Sequence, residues 1–354
     1  MNKLSIVGVK LMRKLLNTLY ITQEDAYVGL DGENIVVSSS GEEKFRIPIS
    51  NIEGIVCFNY MGCSPAVMGK CADNGISLSF LKPSGRFLAR VSGSIKGNVH
   101  LRRMQYEMIS NDEICIKLTQ NVLASKLHNS RFILNRLERD HKDKINEAIV
   151  VNAIAKLTDN IELLYNSNSM DSLRGIEGES AQIYYSVFNE LIITNKDSFK
   201  FERRTKRPPL DKVNAMLSYL YTILSLDVQS ALETVGLDPY IGFFHTDRSG
   251  RASLALDLVE ELRAYIVDRL VVSMINLQQV KEDEFLVKEG GGVIMTEECR
   301  KKILKQWQLK KTQIITHSVI NEKIQLGLLP YVQAKLLAKY IRKEEMAYYP
   351  FLCR

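Results

Sequence analysis

The sequence contains no long apolar run and no paired cysteine motif. Among its 354 residues, no stretch reaches the roughly 18 consecutive apolar residues of a membrane-spanning helix, so an integral membrane protein is not predicted. The start lacks a secretory cleavage site, and residues 1–11 are predicted to be an extension upstream of Met12. None of the six cysteines lies in a Cys-x-x-Cys pair, which argues against a zinc ribbon or a redox dithiol. Unpaired thiols in a chain of this length predict a cytoplasmic protein.

A strong excess of one charge is also missing. Lys plus Arg number 47 against 41 for Asp plus Glu, a net charge of only +6, so a partner can be inferred only from clustering. The basic residues do cluster, and the two larger clusters lie at residues 200–212 and at residues 300–311 around the single Trp307. Either cluster alone could be a solvated surface, but together they predict a polyanionic partner such as nucleic acid.

The apolar spacing changes character near residue 100. Short β-branched runs separated by turn residues occupy about residues 18–96, and helical three-and-four spacing follows. We therefore predict an α+β fold, with a β-rich, sandwich-like domain at residues 12–98 and a larger, mainly α-helical domain at residues 99–354. A short helix is expected between Ser64 and Gly75, and a hairpin across Gly290–Gly292. Further helices are expected at residues 178–194, 211–234, 253–275, 296–308 and 330–344.

Three separated acid and histidine segments carry the candidate chemistry. Glu177 lies between glycines, His245 lies in a loop rich in Gly, Asp and Arg, and Asp257 lies on a helix capped by Ser253. One imidazole and two carboxylates suit Mg²⁺ or Mn²⁺. Each residue also has a simpler interpretation: helix-dipole stabilisation for Glu177, a structural role for His245, and a solvated helix face for Asp257 and for Glu260 one turn on.

Several motifs in order resemble one known family. They are Gly-Ile-Glu-Gly around Glu177, Arg-Pro-Pro-x-Asp-x-Val-Asn-Ala from Arg207, and Gly-Phe-Phe-His-x-Asp-Arg-x-Gly-Arg-x-Ser-Leu-Ala-Leu-Asp from Gly242 to Asp257. Together they resemble the CRISPR adaptation integrase, also called CRISPR-associated endonuclease one, from about Met12 to the end. The closing Tyr-Pro-Phe-Leu-Cys-Arg resembles the subtype I-C branch.

This resemblance implies an antiviral-defence enzyme of spacer acquisition. The β-rich domain would form a homodimer, and Glu177, His245 and Asp257 would bind Mg²⁺ or Mn²⁺, with Glu260 as a further or alternate ligand. The partners would be double-stranded DNA, both protospacer and CRISPR repeat, and a small protein called CRISPR-associated protein two. The candidates for phosphate contacts are Arg204, Arg207, Arg248 and Arg251.

The expected reaction is metal-assisted phosphodiester transfer. A 3′-hydroxyl of a short DNA duplex would attack at the leader–repeat junction, while water as nucleophile would make the same site an endonuclease. Two alternatives remain open at this stage: a non-catalytic subunit that clamps DNA, and a structure-selective nuclease acting on branched DNA. The clamp is less favoured because carboxylates beside DNA are costly unless a cation lies between them.

Overall fold

The computed structural model describes residues 17–93 and 99–353, so the predicted extension at residues 1–11 lies outside the described residues. The described chain divides into two compact units. One contains residues 17–83, 87–93 and 308–329, and the other contains residues 84–86, 99–307 and 330–353. Strands dominate the first unit and helices the second, which confirms the expected α+β class. Among the described helices, none is long and apolar enough to cross a membrane.

Strands and helices are numbered in chain order. The strands are β1 (Thr18–Ile21), β2 (Ala26–Asp31), β3 (Asn34–Ser39), β4 (Glu42–Pro48), β5 (Gly54–Cys57), β6 (Ser77–Leu81), β7 (Phe87–Val91), β8 (Phe285–Val287), β9 (Val293–Met295), β10 (Ile314–Thr316) and β11 (Lys323–Gln325). The helices are α1 (Pro65–Asn74), α2 (Val99–Ile109), α3 (Asp112–His141), α4 (Glu147–Asn166), α5 (Met170–Ser186), α6 (Lys212–Val235), α7 (Ser253–Arg263), α8 (Arg269–Asn276), α9 (Glu297–Lys311) and α10 (Leu329–Ile341).

Two sheets form the centre of the first unit. One has the order β1-β5-β6-β7, with β5 parallel to both β1 and β6, and the other is the antiparallel meander β2-β3-β4. Parallel neighbours need a crossover connection, and α1 supplies it between β5 and β6. Alternate residues of both sheets and one face of α1 enclose a common core, in which Val28, Ile35, Ile55, Cys71 and Leu78 are fully buried.

Helix α1 has the ends that the sequence predicts. The Ser64 hydroxyl accepts a hydrogen bond from the Val67 backbone N–H at 3.3 Å, and Pro65 occupies the first turn, where no backbone donor is needed. Gly75 ends the helix with φ of 68°, a conformation that a residue without Cβ adopts at little cost. The predicted short helix is confirmed.

In the second unit, the long helix α3 packs against α4, α5 and α7. Helix α7 runs through a π-helical turn at Ala264–Asp268 into α8. Nearly every residue of α7 is buried, including Asp257, Glu260 and Glu261. A solvated polar face is therefore excluded, and these carboxylates need partners inside the protein.

Glu261 fixes the segment at residues 348–353. Its fully buried carboxylate accepts hydrogen bonds from the Tyr348 hydroxyl, from Gln333 Nε2 at 2.9 Å and from the Phe351 backbone N–H at 2.6 Å. Asn129 on α3 binds the same segment through the Phe351 carbonyl, at 3.0 Å. The segment is thus held against α3 and α7 by these hydrogen bonds.

We expect Glu261 to make stability fall between about pH 4.5 and 7. Burial raises its pKa from 4.5 to about 7, against the lowering effect of Tyr348, Phe351 and Gln333. In this window the unfolded chain ionises Glu261 while the folded chain retains the proton, so rising pH favours unfolding. At about 1.4 kcal/mol per pH unit, the loss approaches about 3 kcal/mol. Urea unfolding in EDTA at several pH values measures this loss. Glu261→Gln should abolish the part of the pH dependence that is due to Glu261. A variant with the same pH dependence of unfolding free energy as the parent would contradict the role of Glu261.

Candidate active site

Asp257 holds the loop that carries His245. One carboxylate oxygen accepts the backbone N–H groups of Phe243 at 2.7 Å and Phe244 at 3.1 Å, and the other accepts the His245 N–H at 3.0 Å. The second oxygen also lies 2.6 Å from His245 Nδ1. The Asp257 side chain is fully buried, so these four contacts occupy it from inside the protein.

Glycine is required where this loop approaches α7. A Cβ at Gly242 would lie 2.6 Å from the Asp257 carboxylate and 2.9 Å from the Ser253 backbone. Neither neighbour can move without breaking the hydrogen bonds of the loop. Gly242 therefore permits the close approach that lets Asp257 reach three consecutive backbone donors.

The contact with Asp257 also sets the chemistry of His245. Since a carboxylate only accepts hydrogen bonds, Nδ1 carries the proton of this contact, and in the neutral form of an imidazole held this way the free lone pair is on Nε2. The His245 side chain is 18% exposed, so it is not sealed in the core. A carboxylate behind an imidazole is the usual support for a metal-binding histidine.

Glu177 and Glu260 both form ion pairs with the side chain of one lysine, Lys126. Glu177 lies in the middle of α5, not ahead of a helix as predicted, because α5 begins at Met170 with Ser169 as its cap. Lys126 of α3 forms ion pairs with Glu177 and with Glu260, the latter at 2.7 Å. Two carboxylates from different helices therefore converge on a single positive charge.

Arg263 completes the electrostatic surroundings of Glu260. Its guanidinium lies 3.0 Å from both oxygens of that carboxylate and 4.5 Å from the centre of the Tyr221 ring. Burial would raise the pKa of Glu260, but Arg263 and Lys126, with a smaller contribution from His245, hold it well below its usual range. Burial would likewise lower the pKa of Lys126, but Glu260 and Glu177 outweigh it and raise that pKa. Glu260, Lys126 and Arg263 are therefore charged at neutral pH.

A buried aspartate supports this arrangement from the π-helical turn. Asp268 accepts hydrogen bonds from the hydroxyls of Tyr221 and, at 3.1 Å, Tyr184. Because Tyr221 lies under the Arg263 guanidinium, contacts run without a break from Asp268 through Tyr221 and Arg263 to Glu260. A π-helical turn frequently marks a functional site, and here it brings Asp268 to the tyrosines.

The four predicted phosphate-binding arginines occupy different environments. Arg204 is partly buried, donates to Asn214 at 2.6 Å and to Ser218 at 3.0 Å, and so holds its own loop together. Arg207 and Arg248 are exposed, and Arg251 is partly exposed. Lys206 in the same segment is exposed, yet partial loss of water and the nearby charges of Arg263 and Arg204 lower its pKa. A phosphate would relieve this repulsion between cations.

The basic cluster at residues 300–311 is divided between buried and exposed side chains. Arg300 is buried and donates to the Met295 carbonyl at 2.7 Å, while Lys301 pairs with Glu297 at 2.6 Å and Lys302 pairs with Glu284. Trp307 is also buried. Lys301, Lys302 and Lys305 remain exposed, so the interpretation of this helix as a nucleic-acid surface stays a prediction.

The structure groups the predicted ligands in two pairs rather than in one triad. His245 is joined to Asp257, and Glu177 is joined to Glu260 through Lys126. Within residues 17–93 and 99–353, no three His, Cys, Asp or Glu side chains form a group ready to hold a metal ion. The donor set nevertheless suits Mg²⁺ or Mn²⁺, because Lys126 already acts as a cation between two carboxylates.

Sequence reasoning overlooked Lys126, Arg263 and Asp268. A signal existed for Lys126, which follows Leu118 and Val122 at the four-residue spacing of a core-facing helix side. A lysine within such a helix needs an acidic partner. Arg263 follows Glu260 by three residues, which also predicts contact on a helix. Asp268 depends on the π-helical turn and gives no local signal.

Comparison with known proteins identifies the family. A family model described as CRISPR associated protein Cas1 matches residues 19–309. A CRISPR-associated endonuclease Cas1 of Chlorobaculum tepidum is 44% identical over 343 residues, covering 97% of this chain and 100% of the relative. Among solved structures, a casposase bound to integration product has a TM-score of 0.80 at 20% identity, covering 94% of this chain and 92% of that one. A Cas6-RT-Cas1–Cas2 complex has a TM-score of 0.79 at 20% identity, covering 94% of this chain and 36% of that one. By the extent of the family match and the identity to its relative, the chain belongs to the Cas1 family of CRISPR-associated proteins.

Proposed function

We propose that this chain is a metal-dependent DNA endonuclease and integrase of CRISPR spacer acquisition. The observation that carries the proposal is the convergence of Glu177 and Glu260 on one internal cation, with His245 on a loop fixed by Asp257. A subunit that only clamps DNA has no need for buried carboxylates gathered in this way. Membership of a family whose curated relatives are named endonucleases supports an enzymatic role.

The proposed ligands of Mg²⁺ or Mn²⁺ are Glu177, Glu260 and Nε2 of His245. Asp257 is better suited to a positioning role, because its oxygens already accept three backbone N–H groups and the imidazole. This proposal puts Glu260, which the resemblance implied only as a further or alternate ligand, in the place of Asp257. A bound metal would polarise the phosphodiester and favour the ionised form of an attacking hydroxyl.

The proposed reaction is a transesterification. The 3′-hydroxyl of a short DNA duplex gives up its proton as its oxygen bonds to phosphorus at the leader–repeat junction. The bond from that phosphorus to the 3′-oxygen of the target strand breaks, and the released oxygen takes up a proton. With water in place of the 3′-hydroxyl, the same displacement is hydrolysis. Arg207, Arg248 and Arg251 are proposed to contact DNA phosphates, since their exposed or partly exposed side chains remain accessible to a ligand.

The proposed partners are suggested by solved structures with the same fold. A solved structure with this fold is a complex containing Cas1 and Cas2, and another is a casposase bound to integration product. We propose that the chain acts with a Cas2-like partner on protospacer and repeat DNA, as a homodimer formed through residues 12–98. We further propose that it belongs to subtype I-C and acts in the cytoplasm, where its six buried free thiols stay reduced.

A joining assay tests the function. The protein and its small partner are incubated with a labelled duplex and a supercoiled plasmid carrying leader and repeat, in Mg²⁺, Mn²⁺ or EDTA. We expect joined products only with metal, and a loss of about 10²-fold or more for His245→Ala, the scale of removing a metal ligand or its support. His100→Ala makes the same change at an exposed position of α2 and should join normally. If the protein binds DNA but neither joins nor cleaves it with any metal, the enzyme proposal is wrong and the non-catalytic DNA-clamping subunit is favoured.

A further inference from the structure

The position of Lys126 is unusual for its residue type. It lies within the stretch of α3 where Ala124, Ser125 and Leu127 are buried, and its own side chain is only 9% exposed. Taking an ammonium group out of water is costly unless opposite charges surround it, and here Glu177 and Glu260 do so. The lysine is therefore part of the site and not of the surface.

Lys126 and a metal ion would need the same oxygens. The ammonium contacts Oε1 of Glu177 and Oε2 of Glu260, while Arg263 contacts both oxygens of Glu260. With the lysine in place, the four side chains have two negative and two positive charges and are neutral together. A divalent cation added to this group would meet repulsion at short range, whereas exchange for the ammonium would leave a modest positive excess.

A cavity beside the lysine gives its side chain room to move. It holds about 20 Å³, its exposed lining is almost entirely apolar, and Arg263 and Asp268 are among the residues around it. Lysine has a flexible four-carbon stem, so its ammonium can change partners without movement of the helix. The cavity is large enough for a group of the size of an ammonium.

We propose that Lys126 is an exchangeable internal cation. Without metal it holds Glu177 and Glu260 together and keeps their charges balanced; when the metal binds, the ammonium leaves these oxygens and the metal takes its place. Lys126 is thus a positioning residue that also limits metal affinity. This inference rests on the proposed metal site and adds the side chain with which the metal competes.

Calorimetric titration of the full-length protein with Mn²⁺ tests the exchange. Lys126→Met should bind Mn²⁺ about tenfold more tightly or better than the parent, because no ammonium has to be displaced from the carboxylates. Its melting temperature should be lower in EDTA and should rise further on saturation with Mn²⁺. Lys117→Met makes the same change at an exposed position of the same helix and should leave both quantities unchanged.

A second variant covers the case in which Lys126→Met does not fold. Lys126→Gln retains a hydrogen-bond donor for the two carboxylates but has no charge, and the same tightening is expected. Affinity equal to or weaker than that of the parent in the folded variants would overturn the exchange. Glu260→Gln separates this result from failure of the site itself: if it binds Mn²⁺ as the parent does, the metal is elsewhere and both proposals fall.

Discussion

Glu260→Gln is expected to abolish DNA joining, with a loss of about 10³-fold or more, the scale of removing an essential electrostatic group from an active site. The substitution keeps the size of the side chain and removes the charge that Lys126 and Arg263 hold in the ionised form. Compared with a carboxylate, an amide is a poor ligand for Mg²⁺ or Mn²⁺. The assay is joining in Mn²⁺, accompanied by calorimetric measurement of Mn²⁺ binding.

The matched control is Glu179→Gln. Glu179 lies two residues beyond Glu177 on α5 but is exposed, so it reports on loss of one negative charge near the site without loss of a ligand. It should join DNA at a rate close to that of the parent. Normal joining by Glu260→Gln would contradict a ligand role for Glu260.

Asp257→Ala is expected to destabilise the folded protein and, in addition, to reduce DNA joining. The substitution leaves three backbone N–H groups, those of Phe243, Phe244 and His245, without their acceptor. An unsatisfied buried donor costs about 1–3 kcal/mol, so we expect the free energy of unfolding to fall by about 3 kcal/mol or more. Urea unfolding in EDTA measures this effect in the absence of metal.

Asp257→Asn provides the graded comparison. The amide retains one carbonyl oxygen for the loop but gives up the other acceptor, so its stability should lie between those of the parent and the alanine variant. Joining should fall in both variants, because the His245 ring loses its fixed orientation. If Asp257→Ala were as stable as the parent in EDTA and lacked only metal binding, Asp257 would be a direct ligand.

Features determined by a few neighbouring residues could be predicted from the sequence. The ends of α1 at Ser64 and Gly75 are examples, and so is the start of α6, where the Asp211 carboxylate accepts the Asn214 N–H at 2.7 Å. The β8–β9 hairpin also follows from its turn glycines. Each of these depends on hydrogen bonds or dihedral angles within a few residues, so no knowledge of packing is needed.

Long-range packing accounts for what could not be predicted. The sequence predicts a helix only from residue 178, and Gly175 and Gly178 are poor helix formers, since glycine in a helix costs about 1 kcal/mol relative to alanine. Both nevertheless lie within α5, with open space where a Cβ would stand, because packing against α3 and α4 stabilises the helix. The start of α7 differs in a similar way: Ser253 begins the helix and Ala252 precedes it as the cap.

The candidate site, like the fold, could be predicted from the sequence only in part. The sequence alone could name Glu177, His245, Asp257 and Glu260, but it could not separate ligand from support. That distinction depends on which carboxylate the 243–245 loop uses, and on a lysine more than fifty residues ahead of Glu177. Neither relationship leaves a periodic pattern in the chain.

Diffraction from crystals grown with Mn²⁺, measured at the manganese absorption edge, tests the central claim most directly. We expect one anomalous peak in bonding contact with Glu177, Glu260 and Nε2 of His245, with the Lys126 ammonium moved away and Asp257 still bound to the loop. A peak bonded to Asp257, or a metal that leaves the Lys126 ion pairs intact, would contradict the account.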